Sequence, residues 1–330
     1  MYEARYEFAI EEEYACMLSG VALHDFYSSP KTMYQVLRHA KAWLEEKFGA
    51  GRFVSFYPML SSYAEASLLG LDIEFPPGNE SPWPKAGHIF ESIQDAAAVQ
   101  MRFGHQNDLV SRTLDFYRQM REMAGSDEEI VIEKCVNGPI TTGIMLRGQD
   151  LFLDMYDDPE ETEKFLAKVT DASIFIREKI EEATGKPMVS TWIYDDFAGM
   201  LPPDLYLRYA IPCYRRIYDR FGRFGRILHS EYLHPKHLQI AKKELDITYF
   251  NPASAENLTI AQVAEVMGSH FDWQIKPADL LLKEDELSAL MDAVLAERPP
   301  MISIYPYWGV KEDAIALVLE KIAAYNRAGK

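Results

Sequence analysis

The chain has 330 residues, 48% apolar and 26% charged, the balance of a folded globular protein with material for one large core or two modest ones. Its 34 Lys plus Arg against 51 Asp plus Glu give a formal net charge of −17, a field that repels nucleic acid and anionic lipid surfaces. Three cysteines without a CxxC pair, an acidic N-terminus without a signal-peptide pattern, and no apolar run near the roughly 20 residues of a membrane span predict a cytoplasmic protein.

In chain order, MYEARYEFAIEEEYACML (1–18) reads as an opening helix, and RFVSFYPML (52–60) is the first strand candidate. PPGNESPWPKAGH (76–88) holds four prolines and two glycines, which forbid regular structure and predict a lid or rim loop bordered by Tyr63, His88 and His105. Asn107 and Asp108 are good caps, so His105 is also explained as the approach to a helix. EIVIEKCVN (129–137) is the next strand. In residues 159–185, Phe165, Leu166, Val169, Ile174 and Ile176 fall near a 3.6-residue period and Gly185 suits a helix stop. MVSTWIYDD (188–196), RILHSEY (226–232), ITYFNP (247–252), HFDWQIKP (270–277) and PMISIYPYW (300–308) complete the strand candidates. Strands alternating with helices, with no internal repeat, linker or Gly-rich phosphate loop, predict a single (β/α)8 (TIM) barrel domain over 1–330 with an N-terminal helical extension. The competitor is a doubly wound open sheet.

In a barrel the C-terminal strand ends build the site, and successive residues alternate between the axis and the helices. This turns Ser190, Trp192, Tyr194 and Asp196 inward and Val189, Thr191 and Ile193 outward. Ser303, Tyr305 and Tyr307 point inward from the last strand, and His229 and Glu231 share a face of 226–232. With Tyr57, Asn137, Asn251 and Lys276 they make a pocket with aromatic walls and several polar groups, the mix of a small-molecule site. His229 and Glu231, two apart on one strand, can converge on a metal if Asp196, Asn251 or Tyr305 supplies a third ligand; the alternative is a hydrogen-bonded pair at the rim.

Of the neighbouring histidines, His234 and His237 belong to a helix start, because Pro235 suits the first helical position. Adjacent strand residues face opposite ways, so Asp196 is expected in the pocket and Asp195 as a cap of the following helix or a loop anchor. Cys135 and Cys213 are expected to be buried and inert.

Several stretches together resemble the uroporphyrinogen decarboxylase superfamily. NGPITTGIMLRGQDLFLDMYDDPEETEKFLAKVTD (137–171) is similar to its GPFTLA…G…F…DLYDDPE…LL segment, and YDDFAGMLPPDLYLRYAIPCYRRIYD (194–219) to its DDxG…SPxxYxEFxxPxxKRI segment. FYPMLSSYAEASLLGLDIEFPPGNESP (56–82) resembles the strand and helix before the family's substrate rim, and RILHSEY falls where members carry an H-x-C or H-G-N strand. The resemblance implies a distorted (β/α)8 barrel.

The departures narrow the implied activity. MLSGVALHDFYSSPKTM (17–33) stands where porphyrinogen decarboxylases carry an arginine motif for the substrate carboxylates, and Arg5 is the only arginine before Arg38. In the thiol-methylating branch zinc sits on H-x-C and a later cysteine. Here His229 matches the histidine, Glu231 replaces the first cysteine, and Tyr305 or Pro306 replaces the second. What remains resembles methyltransferases that demethylate an ether or amine and pass the methyl to a corrinoid (cobalamin-type) cofactor on a partner protein. The expectation is an O-demethylase acting on a small donor such as an aryl methyl ether. His229, Glu231, Asp196 and Tyr194 are its catalytic candidates; Tyr57, Asn137, Trp192, Asn251, Tyr305 and Tyr307 are donor-binding, and zinc on His229 and Glu231 is an option. The alternatives are a decarboxylase of uroporphyrinogen or another acid, and a non-catalytic small-molecule- or corrinoid-binding protein.

Overall fold

The computed structural model describes residues 3–8, 10–49, 55–60, 63–105, 108–132, 137–253 and 255–329. Its strands are β1 (Tyr6–Phe8), β2 (Ile73–Glu74), β3 (Trp83–Pro84), β4 (Ser190–Tyr194), β5 (Gly225–His229), β6 (Tyr249–Asn251), β7 (Trp273–Ile275) and β8 (Ile302–Ile304). β4, β5 and β6 pair in parallel, as do β7 and β8, and β1 lies parallel to the outer edge of β8. Parallel bridges link Phe250 to Phe271, Asn137 to Tyr194 and Phe56 to Ile130. These links join eight chain segments in one series, in the strand order of a (β/α)8 barrel, with β2 and β3 as an antiparallel ribbon beside it. No pairing between β1 and the Phe56 segment is seen among the described residues.

Parallel neighbours need crossovers, and the crossovers here are helical. Pro30–Phe48, Leu109–Ala124, Pro159–Thr184, Ile211–Phe221, Pro235–Leu245, Ile260–Met267, Glu284–Glu297 and Glu312–Ala328 follow the eight strand segments in turn. From Pro30–Phe48 through Ile260–Met267, each packs on the next, and Glu284–Glu297 packs on Glu312–Ala328. The periodicity read in 159–185 is realised: Phe165, Leu166, Val169 and Ile176 are buried, Ile174 is partly so, and Gly185 ends the helix at φ 68°.

Three expectations need correction. Residues 6–8, read as part of an opening helix, form the strand that pairs with β8, and helix begins only at Glu12. Three residues are too few to show a period-2 pattern. The proline-rich stretch, expected to lack regular structure, gives Trp83–Pro84 to β3; proline is tolerated there because the ribbon has only two strands, so its missing N–H faces no partner. Lys276, expected inward, sends its ammonium to Glu256 at 3.4 Å, because β7 has already ended at Ile275. The strand candidates at 52–60 and 129–137 fall partly on positions 52–54 and 133–136, and Cys135 with them, outside the described residues.

Between the strands and helices, two buried charged groups are held by hydrogen bonds. Arg177 is 1% exposed; its guanidinium donates to Thr191 Oγ1 at 2.9 Å and to the Trp192 carbonyl at 2.7 Å. Thr191 therefore faces the helices while Trp192 and Tyr194 face the axis. Glu65 accepts from Ser173 Oγ at 3.0 Å and from the Asn137 backbone at 3.1 Å, and its burial pushes its carboxyl up to about 8 against the pull of Arg177. No described helix is long and apolar enough to cross a membrane.

Candidate active site

The C-terminal strand ends enclose a cavity of ≈ 370 Å³. Its wall includes Trp192 and Tyr194 from β4, His229 at the end of β5, Asn251 at the end of β6, Gln274 on β7, and Tyr305 and Tyr307 just past β8. Tyr57, Asn137, Asp196 and Glu231 complete the catalytic and donor-binding candidates, so all ten meet at one place, while Ser190, Ser303 and Lys276, also expected inward, are not part of the wall. Glu11 and Glu12, at the start of the first helix, also line the wall. Sequence reasoning missed these two, although the run Glu11-Glu12-Glu13 directly after β1 was the available signal. Gln274 was missed too, and lay on the period-2 face of HFDWQIKP. A second cavity of ≈ 420 Å³ shares Glu12, Asn137, Asp196 and Glu231 with the first and extends beneath Ser81 and Pro82 of the loop after β2, past Tyr63.

That loop is strapped down: Ser81 donates to Glu13 at 3.0 Å, Asn79 accepts from the Leu23 backbone, and the Gly78 carbonyl accepts from His24 N. His88 packs on Gly148, away from both cavities, and exposed His105 precedes the helix that Asp108 caps.

One polar relay orients the histidine. Ser303 Oγ donates to Asp272 Oδ2 at 2.6 Å, Asn251 Nδ2 donates to the same oxygen, and His229 Nδ1 lies 2.5 Å from Asn251 Oδ1. A carboxylate accepts only, so Asn251 turns its amide nitrogen to Asp272 and its oxygen to the imidazole. His229 Nδ1 must then carry the hydrogen. In the neutral ring the lone pair is on Nε2, which faces Asp196 Oδ1 at 3.7 Å. Burial pushes Asp272 up to about 6 against the hydrogen bond from Ser303, so above that pH it accepts as drawn. The Tyr194 ring lies against the imidazole, centroids 5.0 Å apart, and stacks on Trp192 at 5.5 Å with an 11° interplanar angle.

Asp195 and Asp196 divide as the alternation predicts, with one difference. Asp195 is fully buried, and it caps the preceding helix Pro139–Arg147, not the one that follows. Its carboxyl accepts from Ile140 N, Thr141 N, Thr141 Oγ1 and Tyr214 Oη, at 2.7 to 3.0 Å. A Cβ at Gly138 would overlap that carboxyl, which explains the glycine of the NGP stretch. Burial pushes Asp195 up to about 6, against the hydrogen bonds from Thr141, Ile140 and Tyr214. Asp196 stays at the cavity and accepts from the Glu231 backbone at 2.9 Å, which ties the loop after β5 to the one after β4.

The other histidines of the cluster are structural. His234 caps Pro235–Leu245; His237, 2% exposed, accepts from His234 N and donates through Nε2 to the Leu201 carbonyl at 2.8 Å. Desolvation lowers its pKa, in keeping with a neutral ring that accepts and donates at once. Cys213 is buried in helix Ile211–Phe221.

A catalytic zinc takes three protein ligands. Among the described residues no three His, Cys, Asp or Glu side chains are grouped to hold a metal. Of the third ligands considered, Asn251 is turned to His229 Nδ1 behind the ring, and Asp196 bonds the Glu231 backbone. Among the described residues, then, no third His, Cys, Asp or Glu is grouped with His229 and Glu231.

Glu12 is the most perturbed acid at the cavity. Burial, then the charges of Glu13 and Glu11, push it up to about 8, while Tyr27 Oη donates to it at 2.9 Å. The cavity wall thus carries four carboxyl side chains and, among the described residues, no lysine or arginine.

The family model for uroporphyrinogen decarboxylase (URO-D) matches residues 9–298. Among solved structures, a methyltransferase from Methanosarcina mazei superposes with a TM-score of 0.70 at 14% sequence identity, covering 98% of this chain and 94% of that one. At that identity the likeness speaks for the barrel fold. No curated protein matches the chain.

Proposed function

This chain belongs to the uroporphyrinogen decarboxylase family, and we propose that within it the protein is a methyltransferase, taking a methyl group from a small methylated ether or amine and delivering it to a corrinoid carried by a partner protein. The observation that carries the reading is the acidic cavity wall: Glu11, Asp196, Glu231 and the raised carboxyl of Glu12, with no described Lys or Arg. Uroporphyrinogen presents eight carboxylates, and its recognition needs cationic side chains that supply charge-assisted, bidentate hydrogen bonds. Each carboxylate pair facing the other here would repel. A neutral or cationic donor meets no such penalty, and the aromatic wall suits a small organic group.

The residues have separable duties. Trp192, Tyr194, Tyr305 and Tyr307 hold the donor against the wall and limit water around the reacting methyl. His229 Nε2, set by Asn251 and close to Asp196, is placed to deliver a proton to the departing oxygen or nitrogen when that atom would otherwise leave with a negative charge. Asp196 stabilises the imidazolium that such a step requires. The cavity opens at the C-terminal face, where exposed Met200 and Leu281, 57% exposed each, stand on the loops after β4 and β7 and offer a partner apolar contact. The reduced cobalt of the corrinoid, a substrate brought by that partner, is the methyl acceptor.

The test is methyl transfer from a panel of methoxylated aromatics and N-methylated amines to cob(I)alamin, followed by the visible spectrum of the cobalt. A spectral change that depends on protein and donor supports the reading. Release of CO2 from uroporphyrinogen, with no methyl transfer from any donor, would replace it with the decarboxylase.

A further inference from the structure

We propose that the methyl donor is an N-methylated quaternary ammonium cation, seated between the stacked Trp192–Tyr194 pair and the carboxyl side chains of the cavity wall. The inference rests on the methyl-transfer reading for what happens to the cation, but not for its binding.

Two independent features converge. The first is aromatic. Trp192 and Tyr194 are stacked nearly parallel, 11° apart, and the Tyr249 ring meets Trp192 edge-on at 62°. Tyr305 and Tyr307 stand across the cavity from the other end of the barrel sheet. Aromatic faces attract methylated ammonium groups, whose positive charge is spread over the N-methyl hydrogens, and walls of Trp and Tyr are the usual means of holding them.

The second is the arrangement of the acids. Glu11 and Glu12 come from the first helix, Asp196 from the loop after β4, and Glu231 from the loop after β5, so they surround the space from different elements. They do not converge in a group of three as ligands of a point-charge metal would. A ring of acids around a cavity suits a bulky, diffuse cation. An anionic donor would be repelled by the ionised acids of that ring. The net charge of −17 extends the same preference beyond the cavity.

This donor also matches the chemistry of the wall. As the methyl carbon accepts an electron pair from the acceptor's reduced cobalt, the carbon–nitrogen bond breaks and its pair stays on nitrogen. The leaving group is then a neutral tertiary amine, so no proton is needed. The acceptor is oxidised by two electrons, and the positive charge leaves the amine with the methyl. His229 acts on this donor as a wall, not as an acid.

The experiment is calorimetric titration of the full-length protein with choline and its uncharged isostere 3,3-dimethyl-1-butanol, and with phenyltrimethylammonium and methoxybenzene. Each cation is expected to bind at least about 10-fold tighter than its neutral partner. Asp196→Asn and Glu12→Gln, checked for an unchanged thermal transition, are each expected to cut that margin several-fold. Equal affinity within both pairs, or a margin that survives both substitutions, overturns the inference. The two readings fail separately. Selective cation binding without transfer to cob(I)alamin upholds the cation site and removes the methyltransferase; transfer from methoxybenzene without cation selectivity does the reverse.

Discussion

Asn251 holds His229 in one tautomer: its side-chain oxygen lies 2.5 Å from Nδ1, and its nitrogen is committed to Asp272. The pocket-facing nitrogen is therefore Nε2, with its lone pair exposed in the neutral ring. Histidine-selective 15N spectra are expected to show the Nδ1–H form for His229, and in Asn251→Ala a mixture of tautomers. A dominant Nε2–H form in the unsubstituted protein would mean that the relay runs the other way.

Activity of His229→Gln should depend on the donor. With an ether the departing oxygen needs a proton, and loss of a positioned acid costs on the order of 10²-fold or more in kcat. With a quaternary ammonium donor the amine leaves neutral, and the same substitution is expected to cost less than about 10-fold. Equal losses with both donors would assign His229 a purely positioning role.

Glu12 predicts how cation binding depends on pH. Its carboxyl is raised to about 8, so below that pH it is protonated in the free protein, and a bound cation favours the ionised form. Binding then expels a proton. Affinity should rise by at most about tenfold per pH unit toward pH 8 and flatten above it. The groups facing Glu12 are Glu11 and Glu13 beside it, Cys16 one turn on, Tyr27 from the next helix, and Asp196 and Glu231 at the shared cavity wall. Cys16, itself raised to about 12, and Tyr27, raised further, do not titrate in this range. Glu12→Gln should flatten the profile; calorimetry in buffers of different ionisation enthalpy counts the protons directly.

Asp195 predicts stability. Removing its carboxyl in Asp195→Ala leaves Ile140 N, Thr141 N, Thr141 Oγ1 and Tyr214 Oη without their acceptor in a buried site, a loss of about 3 kcal/mol or more. Asp195→Asn is expected to recover only part, because its amide nitrogen would face a backbone N–H, of Ile140 or Thr141, whichever way it turned. Gly138→Ala, which drives a methyl into the same carboxyl, should cost about 1 to 3 kcal/mol. Urea unfolding midpoints measure all three; a neutral Asp195→Ala would show that water replaces the cap.

Much of this was legible before folding. The alternation in 188–196, 226–232 and 300–308 sorted inward from outward residues because the side-chain period of a strand is a local property of the backbone. Pro235 likewise separated His234 and His237 from His229, since a proline at a helix start is decided within a turn. Tyr6–Phe8 was not legible: a three-residue strand has no pattern of its own, and only β8, almost 300 positions away, supplies its hydrogen-bond partners. Once β1 is in the barrel, Glu11 and Glu12 must stand at its mouth, and the charge of the site changes with them.

The sequence alone determined the barrel, ten of its pocket residues and the division of labour between Asp195 and Asp196, all of which follow from periodicity and chain order. Only the tertiary structure decided which nitrogen of His229 meets the cavity, which helix Asp195 caps, and that four acids surround one space. Those depend on distances between segments remote in the chain, and no local pattern encodes them.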